Sequence, residues 1–454
     1  VSALDQYDTE WRAQRARACE ETRVHGTHSE EALGRRVRCL DRRKHEVDVL
    51  LNRLESNDAQ RLHKVARAVG GLRSPASCSL DGGERELLPE DSEQQAGVRA
   101  IRDELAALHP FLELSQYKEG LGLAQDSLSK AQEQGWPPLI AEARFIRGQF
   151  EVAAGHFDQG RESFMQAAQL AAESGHQQLV AEAWNQWLAV VAERPRVPSE
   201  ALDALAPIEA LALRGGELWP ETMARMLSAK TQTLLLAGRY LEAEKSGERA
   251  LAQVVKIPGA TPVRRASALH DVALAKGRVG KYQEASDLYE KSLAIELAYY
   301  GHNHPEVGHT LRGISALNAT TGRYQEAISA ATDSLRIAVE AFGAEHYEVL
   351  TAGVWLAELK YRSGGRAELL GEALALEAMA AKISQAELRS EIRLQVLLSQ
   401  LYAGQSLFEN ASGHLAKAES AARTRHGTAH LNYATVLDAQ AELYAAQSRH
   451  AEAL

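Results

Sequence analysis

The sequence predicts an all-α fold: a solenoid of stacked helical hairpins behind a short helical N-terminal segment. Three observations predict it. One phrase recurs at a fixed spacing, so that Tyr282 in "VGKYQEASDLYEKSLAIE" is matched 42 residues later by Tyr324 in "TGRYQEAISAATDSLRIA". Ala and Leu are abundant while aromatics make up only 6%, a mixture of strong helix formers. Between the recurring glycines, apolar residues keep helical spacing instead of alternating.

The bulk properties narrow the function classes. A chain of 454 residues can hold several domains or one long array. Hydrophobic residues at 45% and charged residues at 25% describe a foldable chain. A net charge of -10 supplies no basic face for nucleic acid. No apolar run approaches the roughly 20 residues needed to cross a bilayer, so direct membrane insertion is not expected. The charged, amphipathic N-terminus is unlike a signal peptide. The start at Val1 and the abrupt end at "SRHAEAL" suggest a piece of a longer protein. The sparse, odd set Cys19, Cys39 and Cys78 is expected as buried free thiols in a reducing, cytoplasmic setting. A Cys19–Cys39 bridge is the alternative if the segment lies extracytoplasmically, beyond a membrane helix upstream.

The first element is the N-terminal segment, residues 1–73. Ser29, Glu30 and Glu31 mark a helix start, and Leu33, Val37, Leu40, Val47, Leu50 and Leu54 form its apolar stripe. The basic run Arg35, Arg36, Arg38, Arg42, Arg43 and Lys44 is interleaved with Glu30, Glu31, Asp41, Glu46 and Asp48, which reads as a solvated, ion-paired face. "SPASCSLDGGERELLPEDSEQQAG" has the Pro, Gly and charge content of a linker over 74–99.

The array follows over 100–454, as eight to nine units cut short at the C-terminus. Steps of 42 from Tyr282 and Tyr324 land on Tyr240, Pro198, Arg366, Phe408 and His450, and small slips reach Phe157 and Tyr117. A second mark keeps the phase at Gly301, Gly343 and Gly427, while the slot near Gln385 has no Gly. Each unit reads as two helices. Val307, Leu311, Ile314 and Leu317 stripe the first, which stops at Gly322; Tyr324, Ala327, Ile328, Leu335 and Ile337 stripe the second, which stops at Gly343. The structural signature is Gly238, Tyr240 and Ala243, then Gly280, Tyr282 and Ala285, then Gly322, Tyr324 and Ala327. The Gly ends a helix in the left-handed conformation. The Tyr fills the turn, and the Ala lets two helix backbones approach. Neither helix buries its stripe alone, so neighbouring hairpins complete the core.

The Gly-basic-Tyr-x-Glu-Ala phrase resembles the second helix of a tetratricopeptide repeat. The longer unit and the "GHNHPEV" connector resemble the kinesin-light-chain type. The resemblance covers about three quarters of the chain. It implies a right-handed superhelix whose concave face, lined by first helices, takes protein or peptide. The matching groove pairs are Ser228–Ala229, His270–Asp271, Arg312–Gly313, Val354–Trp355 and Asp438–Ala439, and none keeps the two Asn of the peptide-clamping rule. His270, Asp271, Arg312 and Trp355 are the candidate binding residues, because Arg and aromatics are enriched at hot spots.

A second resemblance lies further upstream. Trp11, Cys19-Glu20, Thr22, Val24 and Gly26, then Ser29, then Arg36, Arg38-Cys39-Leu40 and Arg43, are similar to the region after the kinase domain of myxobacterial-type serine/threonine kinases. The pattern extends to Cys78 and Leu80 and departs at "GTHSEE". It implies a kinase domain before Val1. The chain itself has no Gly-rich phosphate loop, H-R-D loop, D-F-G site, G-x-S-x-G elbow or H-E-x-x-H site. No catalysis and no cofactor are therefore expected of it. His302, His304, Glu306 and His309 could be taken for a metal site. However, His304 recurs at His346 and His430, which suits a structural job better, such as capping a helix or packing between repeats. The expected function is protein or peptide recognition, as the sensor or substrate-recruiting arm of a bacterial kinase or as a freestanding adaptor.

Overall fold

Helices are the regular elements throughout the described residues, with no strand among them. The structure, a computed structural model, describes residues 2–54, 69, 72, 74–79, 87–114, 116–192, 199–215, 219–257, 262–365, 368–383, 390–425 and 431–453. The phased positions Pro198 and Arg366, the slot at Gln385, Gly427 and His430 lie outside them. Contacts divide the chain into an N-terminal unit, Val1–Ala275, and a C-terminal unit, Lys276–Leu454.

The N-terminal unit begins with α1 (Ser2–Arg23) and α2 (Glu30–Leu54). Trp11 Nε1 donates to the Leu40 carbonyl at 2.7 Å, and Arg36 meets Glu21 at 2.5 Å. A 3-10 turn, Pro75–Ser79, folds back on this pair, with Ser74 Oγ donating to Glu10 Oε1 at 3.2 Å. Cys39 and Cys78 are joined by a disulfide, their Cα atoms 5.7 Å apart, and Cys19 is free. This corrects the expectation of free thiols and of Cys19–Cys39 as the alternative pairing. The stretch around Cys78 is not a passing spacer but a short turn seated against α1 and α2, within bonding reach of Cys39.

The rest of the unit runs α3 (Ser92–Ala107), α4 (His109–Glu113), α5 (Tyr117–Gln134), α6 (Pro137–Ala153), α7 (Phe157–Glu173), α8 (Gln177–Ala192), α9 (Ser199–Arg214), α10 (Pro220–Leu236), α11 (Tyr240–Val254) and most of α12 (Pro262–Val279). Part of the stretch expected as linker is thus helical: Asp91 caps α3 by accepting from the Gln94 amide at 2.7 Å. The core is built from buried faces of successive helices, among them Phe145, Phe164, Trp187, Met226 and Leu234. Small residues set the spacing. A Cβ at Gly120 would lie 2.1 Å from the Phe150 ring, so no side chain fits there.

The C-terminal unit continues with α13 (Tyr282–Tyr300), α14 (Pro305–Thr320), α15 (Tyr324–Phe342), α16 (Tyr347–Arg362), α17 (Leu369–Ala380), α18 (Glu391–Ala403), α19 (Phe408–Arg425), α20 (Leu431–Ala446) and α21 (His450–Ala453). The repeat signature has one geometry. Gly238, Gly280 and Gly322 sit at φ +74°, +92° and +78°, the left-handed region that glycine enters without steric cost. The amide after each bonds back five residues, as Arg323 does to the Asn318 carbonyl at 2.9 Å, closing the preceding helix. Tyr240, Tyr282 and Tyr324 are the first residues of α11, α13 and α15. Tyr282 is 40% exposed, while Tyr324 packs partly into a core cluster. Ala243, Ala285 and Ala327 are fully buried.

Replacing Ala285 or Ala327 by Trp is expected to destabilise the C-terminal unit by about 1–3 kcal/mol or more, because a close-packed crossing has no room for the ring. Thermal melting checks this. An unmoved transition would show that the alanines do not hold the helices together.

Candidate functional site

A concavity lies in the N-terminal unit, where three successive first helices, α8, α10 and α12, stand side by side. Helical spacing puts Glu182, Asn185, Gln186 and Ala189 on one face of α8. Ala224, Arg225, Ser228, Ala229 and Gln232 line it from α10; Arg264, Ser267 and Ala268 line it from α12. The four alanines have little side chain, so a cleft of about 320 Å³ stays open between the helices. That volume sits at the lower end of the range of about 300–1,000 Å³ typical of ligand sites. Phe145, Val254 and Ile257 make its apolar walls.

Several of the polar groups are held by neighbours. Asn185 is 6% exposed, and its Nδ2 donates to the Thr222 carbonyl at 3.3 Å. Its Oδ1 is buried and accepts from no group among the described residues. Arg225 and Arg264 each reach Glu221 at 2.6 Å. Burial would raise the Glu221 carboxyl, but the two guanidiniums overcome it and hold the group down at about 2. Glu182 accepts from Gln178 Nε2 at 2.8 Å and from Thr222 Oγ1 at 3.3 Å. Asp271 is hydrogen-bonded to Gln232, and its burial pushes its carboxyl up to about 7.

The four candidate residues fall in two places. His270 and Asp271, on α12, are 7% and 9% exposed. They are not the open side chains the sequence suggested, although Asp271 touches the cleft through Gln232. Arg312 and Trp355 belong to the C-terminal unit. Arg312 is ion-paired with Glu348 at 2.9 Å. Trp355 Nε1 donates to Ser315 Oγ at 2.9 Å, Ser315 donates to the Ala327 carbonyl at 2.7 Å, and Arg393 lies 5.0 Å over the Trp355 ring. These two side chains tie α14 to α16.

Asn185, Gln186 and Gln232 were not singled out from the sequence. The available signal was the pair series itself: Asn185–Gln186 lies 43 residues before Ser228–Ala229, within the same small slips that lead to Phe157.

The histidine connectors have a structural account. Nδ1 of His304 accepts from the Glu306 amide at 3.2 Å, and Nδ1 of His346 accepts from the Glu348 amide at 3.2 Å, each capping the helix that follows. Tyr300 stacks on His304 at 3.7 Å and Phe342 on His346 at 4.6 Å. Among the described residues, no group of three or more His, Cys, Asp or Glu is placed to hold a metal. No described helix is long and apolar enough to cross a membrane.

Residues 222–295 and 264–340 match the family Tetratricopeptide repeat. Over that stretch the chain carries tetratricopeptide repeats, and the fold is a tetratricopeptide-type α-solenoid. Among solved structures, the apo form of the quorum sensor NprR from B. thuringiensis is similar at a TM-score of 0.51 and 16% identity, covering 72% of this chain and 91% of that one. Aspartyl phosphate phosphatase F from Bacillus subtilis is similar at 0.46 and 16%, covering 76% and 86%. BtubC from P. vanneervenii is similar at 0.41 and 13%, covering 49% and 88%. No curated protein matches the chain in sequence.

Proposed function

We propose that this chain is a protein-recognition scaffold that holds an extended peptide segment in the cleft of its N-terminal unit. One observation carries the reading: Asn185 Oδ1 is a buried acceptor with no donor among the described residues, in a cleft whose exposed surface is otherwise mostly apolar. Leaving a buried acceptor unpaired costs about 1–3 kcal/mol. A main-chain N–H of an occupant removes that cost, and the alanine-lined floor accepts an apolar side chain beside it. Ser228, Gln232 and Ser267 supply further polar groups along the same track. The rigid stack of helices loses little entropy on binding.

The finer reading is that the chain serves as the sensor or substrate-recruiting arm of a bacterial serine/threonine kinase. Its support is the residue pattern from Trp11 to Arg43. A freestanding adaptor is the alternative, and the coding sequence before Val1 separates the two. The Cys39–Cys78 bridge favours an oxidising compartment for the segment.

Selection from a random displayed-peptide library tests the core proposal. Peptides enriched on the full chain are expected to lose about tenfold or more in affinity, about 1.4 kcal/mol, on Ala229→Trp, which fills the cleft. Peptides that bind this variant as tightly as the unsubstituted chain would place recognition elsewhere.

A further inference from the structure

One serine of the cleft follows a pair of arginines. The stretch "VRRASALHD" begins at Val263 and puts Arg264 and Arg265 three and two residues before Ser267. Ser267 is exposed on α12, lines the cleft, and donates from Oγ to the Val263 carbonyl at 3.2 Å. Arg265 is exposed as well. Two guanidiniums in those places are what a protein kinase with acidic subsites reads ahead of the serine it modifies. The run occupies the first two turns of α12, the end at which the leading amides have no partner inside the helix and fraying begins. A kinase that takes its substrate extended needs that end to open. Val263 and Ala266 are buried, and their release is the barrier to opening.

The same cleft holds a receptor for the modified side chain. Arg264 stands one turn before Ser267 on the same face of α12. Arg225, from α10, and Arg264 converge on one oxygen, Glu221 Oε1, at 2.6 Å each, so the two guanidiniums are neighbours. Arg225, Arg264 and Ser267 all line the cleft. The other acid of the lining, Glu182, stands on α8 and is held by Gln178 and Thr222.

We infer that Ser267 is a phosphorylation site that closes the cleft, its phosphoryl group held between Arg264 and Arg225 so that it bridges α12 to α10. The inference rests on the peptide-recognition reading for its biological meaning. The donor is a nucleoside triphosphate bound to a separate, basic-directed serine kinase. Ser267 Oγ attacks the γ-phosphorus; the new O–P bond forms as the bond to the nucleoside diphosphate breaks, and the hydroxyl proton passes to a base of the kinase. A phosphoserine carries a charge of about −1.5 to −2 at neutral pH, more than one carboxylate. Guanidiniums also pair with phosphate oxygens two at a time. The phosphoryl group therefore takes the two arginines in competition with Glu221, and an occupant loses the space between α10 and α12.

The test uses the folded full chain, ATP and a basic-directed kinase chosen because it modifies the synthetic segment 262–272, with no peptide ligand added. Fragment mass spectrometry is expected to find phosphate on Ser267. The phosphorus resonance is then followed from about pH 4 to about pH 8, around the ordinary phosphoserine midpoint of about 6. In the chain it is expected to titrate below that value, because the arginines favour the dianion, and to move back toward it in Arg225→Gln, a residue outside the stretch the kinase reads. The lowered midpoint is required of the unsubstituted chain whatever Arg225→Gln does to folding. A chain left unmodified at Ser267, or a phosphoserine that titrates at its ordinary value, overturns the inference. Because no peptide takes part, that failure leaves peptide capture standing, and failed peptide capture leaves the phosphorylated, arginine-held Ser267 standing.

Discussion

Replacing Glu296 by Gln is expected to stabilise the C-terminal unit at about pH 8 and to leave its stability nearly unchanged at about pH 4. Glu296, on α13, is 4% exposed. Burial raises its carboxyl to about 7; hydroxyls of Thr310 and Ser292 donate to Oε1 and oppose this, and the charge of Glu306 adds to it. Its Oε2 is buried and has no hydrogen-bond partner among the described residues. An unfolded glutamate ionises from about 4.3 upward, whereas the folded one keeps its proton until about 7. The native state therefore binds more protons across that window, and stability falls as pH rises through it. The full difference, up to about 3 kcal/mol, is reached above the folded value. The neutral amide removes it, raising the transition by about 6–12 °C for a unit of this size. His309, in the same unit, has the opposite slope. Burial lowers its imidazole to about 4, so stability rises with pH between about 4 and 6.5. Glu296→Gln should therefore expose a curve that only rises with pH and then levels. A variant destabilised more at about pH 8 than at about pH 4 would mean that the ionised carboxylate is needed.

Reducing the Cys39–Cys78 bridge is expected to cost about 2–4 kcal/mol, because a separation of 39 residues gives the unfolded chain a long loop to recover. The loss should appear first in α1 and α2, which the turn Pro75–Ser79 clamps. Melting with and without a reductant checks this, with the double substitution Cys39→Ser, Cys78→Ser expected to be insensitive to reductant. Denaturing the unreduced chain should expose the single thiol of Cys19 to alkylation. Three reactive thiols there, or a melt indifferent to reductant, would contradict the bridge.

The repeat was legible because its determinants are local. Tyr117, Phe157, Tyr240, Tyr282, Tyr324, Phe408 and His450 are each the first residue of a helix, and the turns before Tyr240, Tyr282 and Tyr324 need the left-handed glycine the sequence shows. The His304 cap was legible for the same reason, since a cap acts within three residues. What escaped depends on packing between distant segments. The cleft arises from alanines on α8, α10 and α12 lying side by side, and no single helix reveals it. His270 and Asp271 have the composition of surface residues, yet the rotation of α12 buries both. The pairing of Cys39 with Cys78 follows from a turn folding back on α1 and α2, which a Pro- and Gly-rich stretch does not announce.

Hydrogen exchange of the full chain, with and without a library-selected peptide, tests the central claim most directly. Bound peptide is expected to slow exchange in 182–189, 224–232 and 264–271, the three faces that build the cleft. Protection confined to other segments, with the peptide demonstrably bound, would contradict it.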